Sequence, residues 1–328
     1  MDMQYGRLGG SGLEVSALGL GTNAFGKRCD REASAAIIDR ALDAGVNFID
    51  TANIYAGTAS ETIIGHALKG KRDRAVLATK AGLPRRDGPN GGGSSRQHLQ
   101  RELEESLARL QTDYVDLYQI HTFDPYTPLE ETLRALDDFV RAGKVRYVGA
   151  SNYAAWELTK ALGLSELKGL NRYASVQTSY SLADRTPERE LVPACLDQGV
   201  GIIPYFPLAG GILSGKYAGD ASAAAPQGSR ADTDRGFTRF MRDRELSLGQ
   251  AVKGIADAHG VRPGALSLAW LMARPAVSTV IVGATKAEQL TDNLAALSIG
   301  LTPELQAELD AVSEPFRGGE PFAVYRLP

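Results

Sequence analysis

Residues 47–65 read NFIDTANIYAGTASETIIG, and within them a buried strand gives way to ionisable chemistry. Phe48 and Ile49 form a short apolar run that stops at Asp50, and Tyr55 follows in a small, polar loop. Two later runs end in the same manner, Ala75 to Thr79 in Lys80 and Val115 to Ile120 in His121. A carboxylate, a phenol, an ammonium and an imidazole therefore follow successive strands. In a parallel barrel the strand carboxyl ends face one mouth, so residues distant in sequence converge in one pocket.

Outward from this stretch the chain alternates. Ahead of it, Tyr5 to Phe25 holds two apolar runs broken by Gly9, Gly10 and Gly12, a hairpin signal leading into a strand that ends near Gly21 and Thr22. Gly19, Gly21 and Gly26 do not make a dinucleotide fingerprint, because the third glycine comes too late for G-x-G-x-x-G. Helical periodicity covers Ala33 to Ala44, a strand covers Asn47 to Thr51, and Ser60 is expected to open a helix to Leu68 as its cap, with Glu61 in the first turn. Strands at Ala75–Lys80, Val115–His121, Val145–Ser151, Ala174–Tyr180, Gly201–Leu208 and Ser278–Gly283 alternate with helices at Arg96–Leu110, Leu129–Ala142, Ala155–Leu164, Arg189–Gln198 and Lys286–Leu297. Such alternation means βα units and a parallel sheet, about eight units closing into a barrel. Ala209 to Phe237, rich in Gly, Ala and Ser, reads as a mobile βα loop over the mouth, after which a helix precedes the last strand. Thr302 to Val312 reads as a closing helix, and the tail Phe316 to Pro328, with Phe322 and Tyr325, as a segment able to fold back over the pocket. No linker divides the chain, which predicts one domain over residues 1–328.

The chain has 328 residues, 43% hydrophobic and 23% charged, a composition with ample apolar material for a soluble core. A net charge of −3 leaves no basic footprint for nucleic acid, and the four His are scattered. Cys29 and Cys195 are too few and too far apart for a disulfide framework or a zinc site, so no metal is expected. The opening MDMQYGRLGGSGLEV lacks the segments of a signal peptide, and no apolar run is long enough to span a bilayer, so the expectation is a cytoplasmic protein without a membrane partner. The patterns specify no oligomeric state.

The four strand-end groups have a joint chemistry. A lone Tyr titrates near pH 10. A neighbouring ammonium is expected to lower that value, and a carboxylate beside the ammonium to keep it charged and oriented. Tyr55 then donates a proton, Lys80 tunes it, Asp50 anchors Lys80, and His121 steers a carbonyl oxygen by hydrogen bonding. Such a set suits hydride addition to an aldehyde or ketone. No side chain supplies hydride, so a cofactor must. Singly, each residue has a bland explanation in an ion pair or in packing; four on one face carry the reading. The Y-x-x-x-K spacing of another reductase chemistry is absent.

The segments FIDTANIYAGTASETIIGHAL, VLATKAG, VDLYQIH and VRYVGASNY resemble the aldo-keto reductase superfamily, and the likeness runs from the N-terminal hairpin to about Leu297. The resemblance implies an α/β fold, a (β/α)8 TIM barrel with an N-terminal β-hairpin and an extra C-terminal helix. It implies NADPH bound in extended form, with NADH possible, and Asp50, Tyr55, Lys80 and His121 as the catalytic four. It further implies Ser151, Asn152 and Gln177 at the nicotinamide carboxamide and Tyr205 as a shelf beneath the ring. Gly21, Thr22, Asn23 and Asp50 also fall in the implied cofactor set. YFPLAGGILSGKY resembles a pyrophosphate loop, implicating Pro207, Leu208, Gly210, Leu213, Gly215 and Lys216. VGATKAEQLTDNL resembles the adenosine grip, implicating Gly283, Ala284, Thr285, Lys286, Gln289 and Asn293. Gly283, Ala284 and Gln289 depart from the mammalian-type Lys, Ser and Arg, leaving Lys286 as the obvious cation for a 2′-phosphate.

Phe25, Tyr55, His121 and Phe123 are expected to line the substrate pocket, with Tyr126 on an apolar rim and Asp124 a polar point. Phe206 is larger than the Ser or Asn of many relatives. The expected substrate is a small carbonyl compound with some hydrophobic bulk. The alternatives are a sugar or secondary-alcohol dehydrogenase using NAD, and a non-catalytic NADPH-binding subunit like those associated with channels.

Overall fold

The computed structural model describes residues 3–217 and 242–319. The chain opens with an antiparallel hairpin, β1 (Tyr5–Arg7) and β2 (Glu14–Ser16). An eight-stranded parallel sheet follows: β3 (Leu18–Gly21), β4 (Phe48–Asp50), β5 (Val76–Ala81), β6 (Val115–Ile120), β7 (Val145–Ser151), β8 (Ser175–Ser179), β9 (Gly201–Tyr205) and β10 (Val280–Gly283). Their spatial order is β10-β3-β4-β5-β6-β7-β8-β9. Just ahead of β10 the seam is joined, because Ile202 donates its N–H to the Ala276 carbonyl at 2.7 Å and accepts from the Ser278 N–H at 2.9 Å. The sheet thereby wraps into the expected TIM barrel.

Period-two alternation decides what the barrel contains. Phe48, Ala78, Leu117, Ile203 and Ile281 point inward and pack with Leu8 and Val15 of the hairpin, which plugs the amino-terminal end. Gly19 leaves room for the Phe48 ring, since a Cβ there would lie 2.8 Å from Phe48 Cδ1. Two residues further along the same strands stand Asp50, Lys80, Gln119, Tyr205 and Gly283. The lower layer is apolar and closed; the upper layer is polar and opens at the mouth.

The intervening residues face outward. Ile49, Leu77, Tyr118, Val148, Val176 and Ile202 join the main core under the helices, where burying a side chain of Leu or Ile size contributes about 1.5–3 kcal/mol. The helices are α1 (Arg31–Asp43), α2 (Ala59–Ala67), α3 (Arg96–Leu110), α4 (Leu129–Arg141), α5 (Ala155–Lys168) and α6 (Leu191–Gln198). After them come α7 (Asp243–Ala258), α8 (Pro263–Met272), α9 (Ala287–Leu294) and the C-terminal α10 (Pro303–Ser313). Side-chain caps open several: Asp30 accepts from the Ala33 N–H, Ser95 from His98 and Thr302 from Leu305. Gly169 and Gly199, both left-handed, end α5 and α6.

Two local expectations are corrected. Ser60 is not a cap: α2 begins at Ala59 after a left-handed Thr58, and Ser60 Oγ turns inward to the Thr22 carbonyl at 3.0 Å and the Thr22 hydroxyl at 2.9 Å. Glu61 does lie in the first turn, but it is wholly buried, accepting from Thr79 Oγ1 at 2.6 Å and Arg109 Nε at 2.7 Å. Between β9 and β10 stand two helices, α7 and α8, where one was expected. The expected loop opens with a 3-10 turn at Ala209–Ser214 and two buried apolar side chains, Ile212 and Leu213. The remainder of that loop, from residue 218 to 237, and the tail from 320 lie outside the described residues.

Candidate active site

The chain between Asp50 and Tyr55 keeps the sheet ladder going past the end of β4. The Thr51 N–H donates to the Ala78 carbonyl at 2.9 Å and the Asn53 N–H to the Lys80 carbonyl at 3.1 Å. Then Ala56 (φ 50°), Gly57 (φ 63°) and Thr58 (φ 86°) take left-handed conformations, which fold the Tyr55 ring back over the mouth. Two of those three are residues that rarely adopt that region, so the turn is strained.

Lys80 lies wholly buried beneath this turn, and its ammonium meets three oxygens. Nζ donates to Asp50 Oδ2 at 2.6 Å, to the Thr51 carbonyl at 2.7 Å and to the Tyr55 hydroxyl at 3.3 Å. Asp50 Oδ1 accepts from Gln177 Nε2 at 2.8 Å and Gln119 Nε2 at 3.1 Å. Burial works against the Lys80 charge, yet the Asp50 carboxylate, and Tyr55 after it, outweigh burial and raise its pKa. The ammonium is locked on.

The expected acidification of Tyr55 is not the net result. Burial raises the phenol pKa most, Lys80 lowers it by less, and Asp50 raises it again, so the balance lies above the ordinary value. Burial is the main cause: withdrawing the phenol from water disfavours the phenolate more than Lys80 favours it, and the nearby Asp50 charge adds to the rise. Tyr55 is therefore held protonated at neutral pH, the state a proton donor needs.

His121 continues the β6 ladder by one residue, its N–H donating to the Ala81 carbonyl at 2.8 Å. Its ring stands edge-on to Tyr55, with centroids 6.0 Å apart. Burial, aided by the Lys80 charge, pushes its pKa down to about 3, so the imidazole is neutral. Nδ1 is buried with no hydrogen-bond partner among the described residues, while the ring lines the cleft where a substrate oxygen would sit.

These groups sit at the inner end of a cleft of about 760 Å³. Gly21, Thr22 and Asn23, at the end of β3, line it beside Asp50 and Tyr55. Ser151, Asn152 and Gln177 line the side formed by β7 and β8. Asn152, left-handed at φ 55°, donates through Nδ2 to the His121 carbonyl at 2.9 Å and accepts at Oδ1 from the Tyr205 hydroxyl at 2.7 Å. Tyr205, Pro207, Leu208, Gly210 and Lys216 continue the wall, and Gly283, Ala284, Thr285, Gln289 and Asn293 close the far end. There Gln289 Oε1 accepts from the Thr285 N–H at 2.8 Å.

Seven residues expected at the pocket or the cofactor lie off this wall. Phe25 is wholly buried in the core, and Phe123 packs edge-on against Tyr153 at 5.2 Å and Trp156 at 5.8 Å. Leu213 is wholly buried under the loop, and Gly215 turns at φ 79° against Pro263. Lys286 precedes α9 without reaching the cleft surface. Asp124 instead organises its own loop, accepting from the Ser94 and Tyr126 N–H groups at 2.7 Å and 2.9 Å, and Tyr126 is exposed. Phe206, singled out in the sequence for its bulk, lines the cleft, and so do Arg28, Gly211, Arg262 and Asp292, which were not anticipated. Asp292 lies three residues after Gln289 on α9, a spacing that signals one helix face; Arg262 pairs with it, and no periodic signal marks that arginine.

The wall after Tyr205 suits an extended anionic ligand. Gly210 (φ 68°) and Gly211 (φ 104°) let the backbone double back, and a Cβ on Gly211 would lie 2.5 Å from Lys216 Nζ, so this amine runs across the bare glycine. Of the eight described non-glycine residues with positive φ, Ala56, Thr58, Asn152, Phe206 and Ala209 surround the cleft or the Tyr55 turn, the pattern of a functional site.

Known proteins align with nearly the whole chain. The uncharacterized oxidoreductase YrpG of Bacillus subtilis is 40% identical, covering 97% of this chain and 98% of its own length. The versiconal hemiacetal acetate reductase of Aspergillus parasiticus is 34% identical over 96% and 97% of the two chains. A probable voltage-gated potassium channel subunit beta of rice is 37% identical over 94% and 96%. The profile of the Aldo/keto reductase family matches residues 17–314, from the residue before the first barrel strand to the one after the last helix, and with such relatives this chain belongs to that family.

Proposed function

We propose that the protein is an NADPH-dependent reductase of aldehydes or ketones, with Tyr55 as the proton donor. The observation that carries this reading is the buried Lys80 ammonium shared between Asp50 and the Tyr55 hydroxyl, with a neutral His121 edge-on to the phenol. The chemistry that a nicotinamide held in this cleft would supply is hydride for the carbonyl carbon. Tyr55 and His121 Nε2 donate hydrogen bonds to the carbonyl oxygen, and the Tyr55 proton moves to it as its negative charge grows. Lys80 then faces a phenolate, and Asp50, braced by Gln119 and Gln177, keeps that lysine charged and in place.

The cleft residues that would hold the cofactor divide by chemistry. Ser151, Asn152, Gln177 and Tyr205 stand nearest the catalytic groups and suit the nicotinamide; Lys216 and the Gly210–Gly211 backbone suit the diphosphate. Arg28, Arg262, Thr285 and Gln289 suit the adenosine end, and the two guanidinium groups favour the 2′-phosphate of NADPH over NADH. One barrel over residues 1–328 in the cytoplasm remains the reading of the whole chain; no helix among the described residues is long and apolar enough to cross a membrane.

Purified protein is expected to oxidise NADPH with an aldehyde and ketone panel. Tyr55→Phe should cut kcat by about 100-fold or more while the NADPH Kd stays within about twofold. Stoichiometric NADPH binding without turnover on that panel would favour the second reading, a cofactor-binding subunit, which the alignment with the rice channel subunit supports.

A further inference from the structure

Behind the Tyr55 turn lies a second set of buried charges that the proposed chemistry does not use. Asn53, wholly buried, stands between Asp50 and Tyr55. Its side-chain amide donates to Glu102 Oε2 on α3 at 2.8 Å, and its own Oδ1 is buried without a partner, so among the described residues Glu102 is the one hydrogen-bond anchor of that side chain. Glu102 is also wholly buried, and a carboxylate withdrawn from water needs compensating charge. Arg85 supplies it, Nε to Oε2 at 2.6 Å and Nη2 to Oε1 at 3.3 Å, and Arg86 adds a second pair to Oε1. Both arginines come from the loop between β5 and α3, and both also pair with Glu105.

The layout joins two loops through one carboxylate. In the turn over Ala56, Gly57 and Thr58 the left-handed Ala56 and Thr58 are strained, so contacts on either side must hold it. The Asn53 N–H to Lys80 carbonyl bond holds it from the barrel side, and Glu102 holds it from the helix side. We propose that Glu102 is a positioning residue for Tyr55: Arg85 and Arg86 clamp Glu102, Glu102 fixes Asn53, and Asn53 fixes the height at which the phenol meets Lys80. This rests on the role proposed for Tyr55.

The test uses the full-length variants Asn53→Ala, Glu102→Gln and their combination, with Glu105→Gln as a control that keeps the Asn53 contact. Asn53→Ala and Glu102→Gln should each lower kcat by about 10- to 100-fold, as expected of a displaced catalytic group, with KM and NADPH Kd within about threefold. The double variant should be no worse than the poorer single, because both act through one path, and Glu105→Gln should leave kcat within about twofold. Hydrogen exchange over residues 51–58, measured without substrate, should rise in Asn53→Ala and Glu102→Gln and not in the control. A folded Asn53→Ala with wild-type kcat and exchange, or effects that multiply in the double variant, would overturn the proposal, and Asn53→Ala decides it should Glu102→Gln fail to fold. A wild type that reduces no carbonyl would overturn the proposed function instead, and the exchange comparison would still decide whether Glu102 holds the turn.

Discussion

Lys80 Nζ lies 2.6 Å from Asp50 Oδ2 with both side chains buried, so an ion pair at the inner end of the cleft ties two strands of the upper layer together. A buried pair stabilises little against an apolar replacement, but removing one partner strands the other charge at a cost of about 3–5 kcal/mol. Asp50→Asn should therefore destabilise the protein by about that amount at neutral pH and also lower kcat, because Lys80 loses what keeps it protonated. Denaturant unfolding beside kcat measures both. A stability within about 0.5 kcal/mol of wild type would mean that the pair does not hold this layer.

His121 makes stability pH-dependent with a sign that follows from its depressed pKa of about 3. Unfolded, the imidazole takes a proton near pH 6.5. Folded, it stays neutral until about pH 3, so between those values the unfolded state binds the extra proton and stability falls as pH falls. The slope from one such group is about 1.4 kcal/mol per pH unit. His121→Gln should flatten the wild-type curve between pH 6 and pH 4, on the order of one proton's slope. Parallel curves for the two proteins would show that His121 is not neutral in the folded state.

The barrel was legible because its signals are periodic: Asp50, Lys80 and His121 follow apolar runs, and strand geometry then fixes which mouth they face. What was not legible depends on tertiary detail. Ser60 has the local character of a cap, yet the left-handed residues after Tyr55 shift the helix start and turn its hydroxyl inward. Phe25 and Phe123 follow strand ends as Tyr55 does, and an aromatic there fits the core as readily as the cleft; only packing decides. Adjacency of Lys80 and Tyr55 could be read, but the balance of burial against charge that raises the phenol pKa could not. Arg262 arrives from the connection between α7 and α8, whose return to the cleft no pattern encodes.

Arg28 and Arg262, rather than Lys286, should set the preference between the two nicotinamide cofactors. The arginines line the cleft, whereas Lys286 lies off its wall. Losing one charge-assisted contact to a phosphate is worth about 1.5–3 kcal/mol before solvent screening, and both arginines are exposed, so the low end applies. Arg28→Ala and Arg262→Ala should each raise the NADPH Kd by about tenfold with NADH changed by less than about twofold. Lys286→Ala should change neither. Fluorescence titration with both cofactors measures all three, and a selective loss of NADPH affinity in Lys286→Ala alone would return the 2′-phosphate to that lysine.

Gly211 offers the complementary case, a contact shared by both cofactors. Its φ of 104° is one that side-chain-bearing residues rarely adopt, and a Cβ there would meet Lys216 Nζ at 2.5 Å. Gly211→Ala must therefore shift the backbone, displace the Lys216 amine, or both. If that amine faces the diphosphate common to NADPH and NADH, the Kd for each should rise by a similar factor, about tenfold, and their ratio should stay at the wild-type value. Lys216→Met leaves the glycine turn intact and should reproduce the loss. A change in the ratio would place Lys216 at the 2′-phosphate, and unchanged affinities in both variants would remove the loop from the cofactor site.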